Sequence, residues 1–190
     1  MTEPAAPNQS PAEDQRKGLF AEHGIFYGLV IGQQTNINAA SAPQLMPIVE
    51  AQALLDQLPL DDIPAPQTLP TPHRMPLATN PLFVGRDEDF RALAALLKAG
   101  TAAVITTGIG GMGKTQLAAE VAHRYGAYFA GGVFWVSCAD PAGVAAEAAA
   151  CGRLMGLPLD GKDQETQVQL TRAEWAKDVP RLLILDNCEE

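Results

Sequence analysis

Residues 102–125 read AAVITTGIGGMGKTQLAAEVAHRY, and the fold follows from how this stretch changes character along its length. Residues 102–106 form a continuous apolar, β-branched run, the pattern of a strand buried on both faces. Gly108, Gly110, Gly111 and Gly113 then interrupt regular structure and let the backbone turn tightly. Lys114 to Tyr125 returns to a helical pattern. A buried strand, a glycine-rich turn and a helix are the context that a phosphate-binding loop requires. Gly108-Ile109-Gly110-Gly111-Met112-Gly113-Lys114-Thr115 fits G-x-x-x-x-G-K-[ST] at every position.

The spacing has a physical reason. Successive backbone N–H groups in such a turn point inward and make an anion nest, to which the start of the helix adds its positive dipole end. Lys114 is placed to reach the β- and γ-phosphates of a nucleotide, and the Thr115 hydroxyl to ligate magnesium. A second motif lies about 70 residues on. Arg181-Leu-Leu-Ile-Leu-Asp186 is an apolar strand ending in an acid, as a Walker B strand does. An Asp at the carboxyl end of such a strand sits on the rim where ligands bind in open α/β sheets, so Asp186 is the second candidate magnesium residue. Lys114 and Asp186 are the candidate catalytic residues. Vigorous P-loop ATPases often carry Glu directly after this Asp; here the position is Asn187, which can orient water but cannot take its proton. Glu189 and Glu190 read as solvated loop carboxylates. Slow turnover or plain nucleotide retention is expected.

The flanking sequence alternates helix and strand. Asp87 is expected to N-cap a helix through Lys98, with Phe90, Leu93, Leu96 and Leu97 facing inward and Gly100 closing it. Residues 133–137 (VFWVS) and 182–185 read as further buried strands. Asp140 followed by Pro141 predicts an N-cap and first helical position for an Ala-rich helix to about Met155. Another helix fits Gln164 to Lys177. The implied class is α/β: a parallel sheet with helices on both faces.

Upstream the pattern changes. Residues 1–18 are polar and aperiodic and read as a disordered tail. Residues 19–40 hold glycine-broken apolar patches that suggest short strands, serving either as an interaction element or as a tail docked on the main domain. Nine prolines between 43 and 81 make residues 41–80 read as a semi-rigid linker, with one amphipathic helix possible at Ile48–Leu58. The main domain occupies residues 81–190. The net charge of −9 repels phosphate backbones, making nucleic acid an unfavourable partner. No apolar run approaches the roughly 20 residues needed to span a bilayer, and the N-terminus lacks signal-peptide order, so a cytoplasmic location is expected. Cys138, Cys151 and Cys188 lie far apart in sequence and read as reduced thiols; with His23, His73 and His123 equally scattered, no structural metal site is implied.

Four segments in order, PLFVGRDED (81–89), GIGGMGKTQLA (108–118), GGVFWVSC (131–138) and RLLILDNCEE (181–190), resemble an NB-ARC domain of the STAND class of P-loop NTPases, in a bacterial style. The resemblance covers about residues 80–190. It implies an ATP/ADP-binding signalling switch using magnesium. It also places Val84 and Arg86 against the base and ribose, although Arg86 has an alternative in pairing with Asp87 or Asp89. Gln116 and Leu117 match positions near the α-phosphate and base, and Trp135 matches a strand Trp better suited to the core than to a ligand. Such domains continue past the Walker B strand with a sensor arginine, a GLPL-type segment and a winged-helix region, and signal through protein partners or self-association by further modules. None of these follows Asp186 here. The next strand of the family inserts between the P-loop and Walker B strands, so a central gap in the sheet, a truncated domain and weak nucleotide binding are expected. Two other readings remain: an AAA-type ATPase, and an interaction scaffold with a vestigial nucleotide site.

Overall fold

The computed structural model describes residues 46–100 and 113–188, together with the backbone of two further strands. The expectations placed on residues 1–18, on most of 19–40, on Gly108 to Met112 and on Glu189 and Glu190 lie outside the described residues. In chain order the elements are β1 (Ile25–Gly28), α1 (Ile48–Asp56), β2 (His73–Arg74), α2 (Asp87–Lys98), β3 (Ala103–Ile105), α3 (Lys114–Tyr125), β4 (Val133–Ser137), α4 (Val144–Leu154), α5 (Gln164–Trp175) and β5 (Leu182–Asp186).

The apolar runs of β4 and β5 are continuous because both faces of the sheet are covered. Val133, Trp135, Leu182 and Ile184 point to one side, into a cluster with Leu93 and Leu97 of α2 and Leu117, Val121 and Tyr125 of α3. The alternate residues Phe134, Val136 and Leu183 point to the other, against Ala148, Cys151, Met155 and Trp175 from α4 and α5. Period-two alternation along a strand thus feeds two cores. Burying each large side chain contributes roughly 1.5–3 kcal/mol before conformational entropy is counted. Trp135 is a core residue, at 3 % exposure. The chain is α/β, with β2, β4 and β5 parallel and helices on both faces.

The sheet departs from the expected all-parallel order. The strand order is β2-β4-β5-β1-β3, and β1 runs antiparallel to both its neighbours. Phe26 lies opposite Leu185 on one side and Val104 on the other. The central gap predicted between the P-loop strand and the Walker B strand is therefore occupied, by a strand from the N-terminal segment. An unpaired row of backbone N–H and C=O groups in the middle of a sheet is costly, and a short β-prone segment satisfies both rows at once.

The Pro-rich stretch is packed rather than a free spacer. Leu55, Leu58 and Leu69 join the first core, and the backbone between them runs along α3. Gln67 N–H donates to His123 O at 2.8 Å, Arg124 Nη1 donates to Pro64 O at 3.0 Å, and Asn80 N–H donates to Glu120 Oε1 at 2.5 Å. Prolines hold this strap extended, and α3 supplies partners for the polar groups that remain. Within it, β2 was not foreseen: two residues pair with the edge of β4, where flanking prolines are tolerated.

Two helix starts differ from expectation. Arg86, not Asp87, holds the N-cap position of α2 and makes no side-chain cap; Asp87, Glu88 and Asp89 fill the first turn, where the dipole favours acids. Asp140 closes a turn, accepting from Ala142 N–H at 3.0 Å, and α4 begins only at Val144. The start of α5 is as predicted, capped by Asp163, which accepts from Thr166 N–H at 2.9 Å; the helix stops at Trp175, before Lys177.

Candidate functional site

β3 and β5 point the same way, each antiparallel to β1, so their carboxyl ends open on one rim of the sheet. Beyond β3 and the glycine-rich sequence that follows it, Gly113 holds φ 76° and ψ 22° at the N-cap of α3. This left-handed conformation suits glycine and aims the first turn of the helix. Lys114 and Thr115 follow on that turn, both half-buried. From β5 comes Asp186, only 6 % exposed. The Thr115 hydroxyl donates to Asp186 Oδ1 at 3.0 Å, which joins the two predicted magnesium residues.

Burial raises the Asp186 carboxyl above the usual carboxylate range, and the Thr115 hydroxyl only partly offsets this. A sequestered carboxylate whose side-chain partner among the described residues is a hydroxyl favours an added cation. The donor set, a hydroxyl and a carboxylate oxygen, suits magnesium, which is held by few protein oxygens and keeps several waters. Asn187, directly after Asp186, is exposed and adopts φ 58°, turning the chain sharply off the strand.

The other predicted contacts are distributed differently. Leu117 is 1 % exposed in the core beside Phe90 and Tyr125, so its side chain is a packing residue. Gln116 Nε2 donates to Glu120 Oε1 at 3.4 Å, along the same face of α3. Val84 and Arg86 lie on the loop before α2, a separate element from the Thr115–Asp186 pair. Val84 is 83 % exposed, and Arg86 pairs with Asp89, the alternative its neighbours suggested.

Two features beside the site had no motif to announce them. Arg74 forms a bidentate pair with Glu147, at 2.6 and 2.8 Å, while also donating to Trp135 O at 2.6 Å; Glu147 in turn accepts from Ser137 N–H at 3.2 Å. The Arg74 hydrogen bond holds Glu147 below the ordinary carboxylate range. This network fixes the end of β4, whose Ser137 is the register partner of Asp186. One residue on, Cys138 N–H donates to Asp186 O at 2.7 Å, and the Cys188 side chain lies near enough to act on the Cys138 thiol. Burial, with Cys188 second, pushes Cys138 up to about 12.

Compared with known proteins, the chain matches no family model, no curated protein and no solved structure. No helix among the described residues is long and apolar enough to cross a membrane.

Proposed function

We propose that this chain carries a magnesium-dependent nucleotide site and works as an ATP/ADP-binding switch of the NB-ARC, STAND-class kind. The observation that carries the reading is the Thr115–Asp186 hydrogen bond at 3.0 Å, at the mouth of a helix headed by a left-handed glycine. Two motifs 71 residues apart in sequence meet where a P-loop site needs its cation-binding hydroxyl and its acid. Backbone amides of residues 108–113 would cradle the phosphates, Lys114 would balance their charge, and Thr115 and Asp186 would hold magnesium. The cation's contribution is to neutralise charge on the β- and γ-phosphate oxygens.

Hydrolysis is slow on this reading. The residue beside the acid is Asn187, and an amide holds a water without accepting its proton. Retained nucleotide, rather than turnover, then carries the signal, passed on through protein partners. We place the protein in the cytoplasm, where nucleotide is abundant and thiols such as Cys138 and Cys188 stay reduced.

Calorimetric titration of the chain with ADP and ATP, with and without magnesium, tests the proposal. Binding that magnesium strengthens and that Lys114→Ala abolishes is expected. A titration without heat at saturating nucleotide, on a chain that circular dichroism shows to be folded, overturns it.

A further inference from the structure

The two strand ends that flank the candidate magnesium site each carry a cysteine. Parallel pairing of Ser137 with Asp186 puts Cys138 level with Asn187, and the Cys138 N–H bond to Asp186 O holds it there at 2.7 Å. Were the strands to continue straight, Cys188 would point to the opposite face. The positive φ at Asn187 turns the chain back instead, which brings the Cys188 side chain near enough to Cys138 to act on its thiol. Both cysteines are half-exposed, within reach of a small reagent, whereas Cys151 is fully buried between α4 and α5.

We propose that Cys138 and Cys188 form a reversible disulfide, a thiol–disulfide site that staples the end of β4 to the turn after Asp186 and weakens magnesium–nucleotide binding when oxidised. The oxidant is a small-molecule disulfide of the glutathione class. The Cys188 thiolate attacks one of its sulfurs, breaking the S–S bond and expelling one small thiolate. The Cys138 thiolate then attacks the Cys188 sulfur of the mixed disulfide and expels the second. The protein loses two protons and two electrons, and the oxidant takes up both pairs to become two thiols.

The coupling to the site is mechanical. Closing the disulfide must bring the two sulfurs to about 2 Å. That draws residues 187–188 toward β4 and pulls on Asp186, whose carboxyl meets Thr115. This regulatory half rests on the nucleotide reading; the disulfide itself does not.

The experiment equilibrates the full chain with a series of oxidised-to-reduced glutathione ratios and follows intact mass and non-reducing peptide maps. Loss of two hydrogens with Cys138 linked to Cys188, reversed by reductant, is expected; Cys138→Ser and Cys188→Ser chains should not lose them. Stable glutathione adducts on the wild-type chain, a link to Cys151, or no change across the series overturns the pair. Calorimetry with ADP and magnesium then compares reduced and oxidised chains, with at least a threefold weaker affinity expected on oxidation. Equal affinities overturn the regulatory half. Absence of binding by the reduced chain overturns the nucleotide reading and that half together, while the disulfide stands or falls on the mass result.

Discussion

Thr115 Oγ1, on the first turn of α3, and Asp186 Oδ1, at the end of β5, lie 3.0 Å apart although β3 and β5 are not neighbours in the sheet: β1 stands between them. The first turn of the helix, not the sheet ladder, brings the hydroxyl to the carboxylate at the rim. A buried acid at such a place costs stability and supplies affinity for a cation, and the two effects separate experimentally.

Asp186→Asn should stabilise the unliganded chain near neutral pH, by up to about 1 kcal/mol, while removing the magnesium-dependent part of nucleotide affinity. The sign follows from burial, which raises the folded-state carboxyl above its unfolded value. The folded chain then holds the proton more tightly than the unfolded one, so the stabilising contribution is full at low pH and is lost as pH rises through the folded-state value. The stability gap between variant and wild type, read from urea melts, should shrink on acidification. Wild-type affinity for magnesium–nucleotide should fall over the same range. A variant less stable than wild type at neutral pH would contradict this account.

Gly113 isolates a backbone effect. Among the described residues a Cβ built there meets nothing within 4 Å, so the obstacle they present to a side chain is φ 76°. Gly113→Ala should cost about 1–2 kcal/mol, and Gly113→Asn less, because Asn tolerates the left-handed region. Nucleotide affinity should fall in the same order, since the turn aims the amides at the head of α3. Thermal melts and calorimetry on the three chains check the ranking.

Between α4 and α5 the limit is space. A Cβ on Gly152 would sit 2.2 Å from Thr171 Oγ1 and 2.8 Å from Leu159 Cδ1. Gly152→Ala should destabilise by about 1–3 kcal/mol through overpacking, without changing nucleotide affinity per folded molecule. Adding Thr171→Ala removes the nearest atom and should restore part of the loss, a coupling that a double-mutant cycle measures.

Local pattern was legible in the sequence; partners distant along the chain were not. α3 and β4 have the limits that the apolar periodicity implied, Lys114–Tyr125 and Val133–Ser137, because their residues and their burial share one register. Motif spacing singled out Thr115 and Asp186 as a pair, and the structure brings their side chains together. By contrast, nothing in residues 64–80 signals that their carbonyls and amides will find His123, Arg124 and Glu120 on α3. Proline density speaks for an extended chain and is silent about what it lies against. The Arg74–Glu147 pair is unreadable for the same reason: each residue alone resembles a solvated charge, and only the pairing of β2 with β4 joins them.

The antiparallel seat of β1 was also beyond local reasoning, and it makes the sharpest test of the topology. Tyr27 lies opposite Ile184 on one side and Ala103 on the other, so its backbone belongs to a strand with neighbours on both edges. Proline there removes an N–H that no solvent can replace and clashes within the ladder. Tyr27→Pro should therefore lower stability by roughly 1–3 kcal/mol from the orphaned carbonyl alone, and hydrogen-exchange protection should fall at residues 183–185. Because β1 pairs with β5, which ends in Asp186, magnesium-dependent nucleotide affinity should drop along with it. If β1 were a dangling tail, the same substitution would leave the melt, the protection of β5 and the affinity unchanged, and the sheet order proposed for the centre of this domain would have to be redrawn.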